Sequence, residues 1–297
     1  MPVAKLNEID LYYEVVGTGP VVAFVHGSYG GVSSSVMPRD DSWIDALKDA
    51  YTVVVYDRRS AGRSAYPDSV HTLDLFVADL RALLAHLDVS DAIIIGSSAG
   101  GPIALTYVLT HPESVAGLIL PNTSARLWRH EGRVDVVERI RRRLDFLAGH
   151  SPEETFDMIQ REQEESGQLV LSAAGRGPRP PDLVQMMDER DRKVQELTDA
   201  LSRTDRITYT IGELRNQGAY IDSDLRSRLG DINMPTLAIH GDADTQVPYE
   251  LGQELVAGIS GAEFVTISGA GHGVMQWQEA TIAIRAFCDR VVAPVRR

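Results

Sequence analysis

Ala92-Ile93-Ile94-Ile95-Gly96-Ser97-Ser98-Ala99-Gly100-Gly101-Pro102-Ile103-Ala104-Leu105-Thr106-Tyr107-Val108-Leu109 is the segment whose reading decides the architecture. Its first four residues form a short apolar run rich in β-branched side chains, the pattern of a fully buried strand. Gly101 to Leu109 has the length and character of a helix, with Pro102 in the first turn, where a missing N–H costs nothing. Ser98 stands between them on a sharp strand-to-helix turn. A side chain two places to either side would collide with the neighbouring backbone, and Gly96 and Gly100 supply that space. Such a turn lifts the Ser98 hydroxyl out of the sheet and leaves backbone N–H groups at the helix start to meet negative charge. Taken alone the pattern is weak, because a glycine-rich strand-to-helix turn also occurs without chemistry. The flanking sequence decides.

Working outward, Ile9 to Val16 and Val21 to Val25 read as strands joined by the Gly17-Thr18-Gly19-Pro20 turn. Thr52 to Tyr56 is a further strand, followed by a helix from about Leu73 to Leu87 and, beyond Ser98, the strand Gly117 to Leu120. Strands separated by helical segments imply parallel βαβ units with helices on both sheet faces. The rhythm breaks near Ala125. Val136, Ile140, Leu144 and Leu147 recur at near-helical spacing, and Ser151-Pro152-Glu153-Glu154 reads as an N-cap with a capping-box glutamate. Leu183, Met187, Val194, Leu197 and Leu201 mark another amphipathic helix, and the intervening Gly175 to Pro181 is a loop. Strands resume at Thr236 to His240 and Phe264 to Ile267, with helices near Glu250 to Val256 and Glu279 to Val291. The expected fold class is α/β: a mostly parallel twisted sheet flanked by helices, formed by residues 1–125 and 230–297. Residues 126–229 are expected to form an inserted helical cap.

The chain has 297 residues and a formal net charge of −13, with 43% hydrophobic and 24% charged residues. These values describe an ordinary soluble globular protein, long enough for one large α/β domain with an insertion or for two small domains, and argue against nucleic acid or an anionic membrane surface as the main partner. The single cysteine, Cys288, lies among Ile282, Ile284, Ala286 and Phe287 and is expected to be a buried structural thiol. Residues 1–8 carry no apolar signal core, so a reducing, cytoplasmic setting is expected. The eight histidines are scattered without metal-ligand spacing, and no metal is expected.

A serine hydroxyl needs a histidine base, itself oriented by a buried carboxylate. His272, in Gly269-Ala270-Gly271-His272-Gly273 just after a late strand, is the expected base, because glycines on both sides let the loop fold over the serine. His26 and His240 read as structural residues at strand ends, and His111 as a helix-end residue. Gly241-Asp242-Ala243-Asp244 offers two carboxylates after the preceding strand. Asp244 lies far enough into the loop to turn back toward His272, whereas Asp242 is expected to hydrogen-bond local backbone. An oxyanion needs two N–H donors. Ala99, next to the serine, is one candidate. The other comes from Phe24-Val25-His26-Gly27-Ser28-Tyr29-Gly30-Gly31, with Ser28 N–H preferred and Tyr29 as the fallback; a plain glycine-rich turn is the alternative reading. Tyr29, Trp128, Met275 and Trp277 are candidates to line an apolar substrate pocket, and each also suits core packing.

With these pieces in place the chain resembles the α/β-hydrolase superfamily, in the branch with a helical cap inserted after the sixth strand. The resemblance rests on His26-Gly27-Ser28, Tyr56-Asp57-Arg58-Arg59-Ser60-Ala61-Gly62-Arg63-Ser64, Gly96 to Gly100, Gly241 to Pro248 and Gly271-His272, in that order across nearly the whole chain. Two positions depart from the pattern. Ser60 replaces a usual glycine and is expected to change that loop's path, and Gly273 to Trp277 lacks the proline and early glutamate that many relatives carry.

The resemblance implies acyl transfer to water through a Ser98-His272-Asp244 triad, without a cofactor, on a small ester or lactone. Serine rather than aspartate at the nucleophile position counts against dehalogenase and epoxide-hydrolase chemistry. Asn122, after the sixth strand, supplies no charge, so the acid is placed at Asp244. Carbon–carbon bond hydrolysis of a small diketone acid is the alternative, with Arg126, Arg129 or Arg133 holding the substrate carboxylate. For these arginines, and for Arg139, Arg141, Arg142 and Arg143, a solvated helix face is the simpler reading. A small-molecule receptor of the same fold is the third reading.

Overall fold

The computed structural model describes residues 2–28, 31–33, 41–166, 192, 196–197 and 200–293. Eight strands form one sheet: β1 (Val3–Leu6), β2 (Ile9–Val16), β3 (Val21–Val25), β4 (Thr52–Tyr56), β5 (Ala92–Gly96), β6 (Val115–Pro121), β7 (Thr236–Gly241) and β8 (Glu263–Ile267). Their spatial order is β1-β2-β4-β3-β5-β6-β7-β8. From β4 onward in that order every pairing is parallel, while β2 runs antiparallel to both β1 and β4. Strand β1 is an element that the sequence pattern does not announce. It folds onto β2 through Asn7 and Glu8, both at positive φ (46° and 67°), which is the mirror-image hairpin turn matched to strand twist.

The β-branched runs are buried on both faces, as parallel strands require. Ala23, Val25, Ile94, Leu118 and Ala238 face one side, where α2 (Leu73–His86), α3 (Gly100–Thr110) and α7 (Tyr249–Ala257) pack. Val22, Phe24, Ile93, Ile95, Ile119, Leu237 and Ile239 face the other, under α1 (Ser42–Asp45) and α8 (Gln278–Val292). Cys288 is buried on this second face, and burial pushes its thiol up to about 12. Among the described residues no helix is long and apolar enough to cross a membrane.

Between β6 and β7 the chain forms α4 (Val134–Gly149), α5 (Pro152–Ser166) and α6 (Arg203–Tyr220). Ser151 caps α5 as the sequence predicts: its Oγ accepts from Glu154 N at 3.2 Å while Glu154 Oε2 accepts from Ser151 N at 2.9 Å. These helices carry small cores of their own, Val137, Ile140, Ile159, Leu214 and Ile221 in one and Phe156, Ile207 and Ile211 in the other. The Gly175 to Pro181 loop and Leu183, Met187 and Val194 lie outside the described residues.

Helix α6 docks on the sheet domain through a polar stripe. Gly212 lies against Tyr66 and the Ser60 carbonyl, and Asn216 Nδ2 donates to Ser60 O at 3.1 Å. Arg215 binds Pro67 O and Asp68. Ser60 sits at φ +54°, so the loop takes at serine the left-handed conformation that glycine adopts without cost.

Candidate active site

Parallel strands deliver their C-terminal ends to one edge of the sheet, and the loops that leave that edge meet there. Register aligns Val25 with Gly96 and Gly241 with Ile267, so the segments beginning at His26, Ser97, Asn122, Asp242 and Ser268 all start from the same rim.

Ser98 occupies the turn between β5 and α3 at φ +50°, a left-handed conformation for a side-chain-bearing residue. The surroundings leave no room for side chains at the flanking glycines. A Cβ on Gly100 would overlap Val25 O, and one on Gly96 would overlap Ala104 and lie 2.8 Å from Gly100 O. Ser98 N is held by Pro121 O at 3.1 Å, and Gly101 N returns to Ser98 O at 2.9 Å.

His272 Nε2 lies 2.9 Å from Ser98 Oγ, and His272 Nδ1 lies 2.8 Å from Asp244 Oδ2. A carboxylate only accepts, so Nδ1 carries the proton and Nε2 is left to receive the serine hydroxyl. Asp244 is buried and densely bonded. Its Oδ1 accepts from Gln246 N at 2.8 Å and Val247 N at 3.0 Å. Its Oδ2 also receives Asn122 Nδ2 at 3.3 Å and lies 3.4 Å from His240 Nε2, whose N–H is shared with Val247 O at 2.9 Å. Burial alone would push the Asp244 carboxyl up, but hydrogen bonds from His240, His272 and Val247 N–H and the charge of His272 outweigh it. The carboxyl is held well below the usual range. Asp242 takes a different part from the local one expected for it: Oδ1 accepts from Gly269 N at 2.6 Å and Oδ2 from Ser268 Oγ at 3.2 Å, which ties down the loop that carries His272.

Gly27 lies against the serine; a Cβ there would be 3.2 Å from Ser98 Cβ and 3.7 Å from Oγ. Among the described residues neither Ser28 N–H nor Ala99 N–H has a hydrogen-bond acceptor, whereas Ser97, Ser98, Gly100 and Gly101 all donate to backbone carbonyls. Among the described residues two donors beside the serine are therefore unspent. Tyr29 lies outside the described residues.

His26, expected as a strand-end structural residue, has a particular task in the structure. Its Nδ1 donates to Gly27 O at 2.7 Å and its Nε2 accepts from Arg58 N at 3.1 Å. Burial and the adjacent Arg58 charge keep this imidazole neutral, with a pKa well below the ordinary value. Arg58 Nη2 donates to the same Gly27 carbonyl at 2.8 Å. Neighbouring Asp57 fastens the next stretch: it accepts from Ser33 N at 3.0 Å and Arg63 N at 2.9 Å, and Gly31 and Gly62 pack on it at positive φ.

The pocket candidates separate. Trp128 stacks on Tyr220 with ring centroids 6.4 Å apart, and Tyr220 OH lies 3.0 Å from Ser28 Oγ. Met275 and Trp277 pack instead against the core under α8. Among the arginines, Arg126 pairs with Glu254, Arg141 with Asp222, and Arg142 and Arg143 with Glu162. Arg133 lies over the Trp128 ring and donates to Gln246 O at 2.6 Å.

Known proteins resemble the chain along nearly its whole length. It is 26% identical to the AB hydrolase superfamily protein YisY of Bacillus subtilis over 93% of each chain. It is 29% identical to a 2-hydroxy-6-oxononadienedioate/2-hydroxy-6-oxononatrienedioate hydrolase of Paraburkholderia xenovorans, over 95% of this chain and 91% of that one. The solved structure of a thermophilic esterase from Thermogutta terrifontis superimposes with a TM-score of 0.75 at 24% identity, covering 98% of this chain and 99% of the other. The family model described as the alpha/beta hydrolase fold matches residues 20–278, and the chain belongs to that family.

Proposed function

We propose that this protein is a serine hydrolase that cleaves a small ester or lactone through an acyl-enzyme. The observation that carries the reading is the continuous relay Ser98 Oγ–His272 Nε2 at 2.9 Å and His272 Nδ1–Asp244 Oδ2 at 2.8 Å, beside two backbone donors that have no acceptor among the described residues.

In this mechanism Ser98 Oγ attacks the substrate carbonyl while His272 Nε2 takes its proton. The carbonyl oxygen becomes negative and is met by the Ser28 and Ala99 N–H groups, for which charge-assisted hydrogen bonds form only as the charge develops. His272 then gives its proton to the departing alcohol oxygen as the carbon–oxygen bond breaks. Water, losing a proton to the same nitrogen, attacks the acyl-enzyme; the bond to Ser98 Oγ then breaks, His272 returns the proton to that oxygen, and the acid is released. Asp244 fixes the His272 tautomer and offsets the imidazolium charge. Ser98 and water supply the protons that His272 carries, and residues 126–229 act as the cap over the site.

Carbon–carbon bond hydrolysis is the second reading, favoured by the 29% identity to a relative named for a dienedioate substrate. Against it stands the engagement of two of the three candidate arginines: Arg126 is paired with Glu254 and Arg133 lies on Trp128 and Gln246 O. Steady-state assays of a short aryl-ester series, a lactone and a diketone acid decide between the two. Sustained turnover of esters that vanishes in Ser98→Ala supports the first reading, and turnover of the diketone acid alone supports the second. A single event per chain would point to a receptor.

A further inference from the structure

Arg58 is a fully buried cation that forms no ion pair among the described residues, and its Nη1 has no hydrogen-bond partner there. Its neighbour Arg59, by contrast, is matched by the Asp79 carboxylate. Desolvating an unpaired charge is costly, so what surrounds it is informative. Arg58 Nη2 donates to Gly27 O at 2.8 Å, and the guanidinium lies 5.3 Å from the Phe76 ring centroid and 6.0 Å from that of Tyr220. Among the described residues the closest acceptor of this buried charge is thus the carbonyl of the loop that carries Ser28, with His26 Nε2 at 3.4 Å from Arg58 Nε.

The Gly27–Ser28 peptide is trans, so the Ser28 N–H points opposite to the clamped carbonyl. A cationic donor on that carbonyl also polarises the amide and strengthens its N–H as a donor. Tyr220, at the end of α6, grips the same residue from the insertion, with its hydroxyl 3.0 Å from Ser28 Oγ. The Tyr220 ring stacks on Trp128, and Trp128 lies under Arg133, whose guanidinium reaches the Gln246 carbonyl in the loop of Asp244.

We infer that the layered stack Phe76–Arg58–Tyr220–Trp128–Arg133 aims the Ser28 N–H, with Arg58 and Tyr220 as positioning residues, so that the inserted helix α6 completes the oxyanion site. The inference rests on the serine mechanism above and says where its second donor gets its direction.

Tyr220→Phe removes one hydroxyl and keeps the stack, and Arg58→Lys keeps the charge and loses the fork. Each is expected to lower kcat for a phenyl ester about tenfold with KM within about twofold, because misaiming an oxyanion donor acts on the transition state. A trifluoromethyl ketone, which Ser98 captures as an oxyanionic hemiketal, should bind each variant about tenfold more weakly, in step with kcat/KM. Adding Ser28→Ala to Tyr220→Phe should cost nothing further if the hydroxyl pair is the path. The Ser28 amide resonance of ¹⁵N-labelled protein needs no turnover and should shift in both variants while that of Ala99 stays. An unmoved Ser28 amide, or losses confined to KM, overturns the proposal. A shifted Ser28 amide in a protein that turns over no acyl compound upholds the positioning and removes the serine mechanism instead.

Discussion

Asn122 Nδ2 and His272 Nδ1 converge on the same oxygen, Asp244 Oδ2, at 3.3 and 2.8 Å. The carboxylate, which follows β7, is thereby held from the loops after β6 and β8, with its second oxygen fixed by backbone N–H groups of its own loop. Asp244→Asn keeps the shape but loses the charge and the acceptor that selects the His272 tautomer, and it is expected to lower ester turnover about 10⁴-fold. Asn122→Ala removes only the longer bond and should cost less than about tenfold. Steady-state rates of the two variants rank the donors; near-full activity in Asp244→Asn would rule that residue out as the acid.

Gly100→Ala should destabilise the fold as well as the site. The added Cβ meets the Val25 carbonyl, a backbone atom of a central strand that cannot retreat. A loss of about 2 kcal/mol or more is expected, read as a lower urea midpoint with an unchanged slope.

Arg59 and Asp79 form a bidentate pair, 2.7 and 2.8 Å, with both side chains buried. Arg59→Met strands a buried carboxylate and should cost about 3–5 kcal/mol, whereas Arg59→Met with Asp79→Leu should recover much of that loss. Equilibrium unfolding of the single and double variants measures the difference.

His71 links stability to pH through α6. Asn216 spends its amide N–H₂ on Ser60 O, so its Oδ1 accepts from His71 Nδ1 at 3.0 Å, and His71 Nε2 is buried without a partner among the described residues. Burial, reinforced by the charges of Arg59, Arg215 and Arg58, lowers this histidine to about 4. Below the ordinary value near 6.5 the unfolded chain binds a proton that the folded one refuses. Stability contributed by neutral His71 is therefore complete above about pH 6.5 and is lost as pH falls toward 4, by up to about tenfold in the folding equilibrium per pH unit. His71→Gln should flatten this stretch of the stability–pH curve; an unchanged slope would contradict the assignment.

Much of this arrangement is legible in the sequence because it rests on local rules. The β-branched runs announce buried strands, and Gly96 and Gly100 announce the turn around Ser98. The order of Ser98, Asp244 and His272 places them on the loops after β5, β7 and β8, at one sheet edge. Helix α6 is less legible because its buried face is partly polar. Gly212, Asn216 and Gln217 are buried alongside Ile207, Ile211 and Leu214, so apolar periodicity understates the helix. Tyr220 therefore gives no sign of its contact with Ser28. Strand β1 is missed for a related reason: Val-Ala-Lys-Leu is short, mostly exposed and paired on one side only. Asp242 and Arg58 show their parts only in three dimensions, since their partners Gly269 and Gly27 lie 27 and 31 residues away.

Turnover of a phenyl ester by the native protein and by Ser98→Ala, with folding verified by circular dichroism, tests the central claim most directly. The serine mechanism predicts sustained turnover in the native protein and a fall of about 10⁴-fold or more in the variant. A folded Ser98→Ala protein that hydrolyses the ester at the native rate would contradict it.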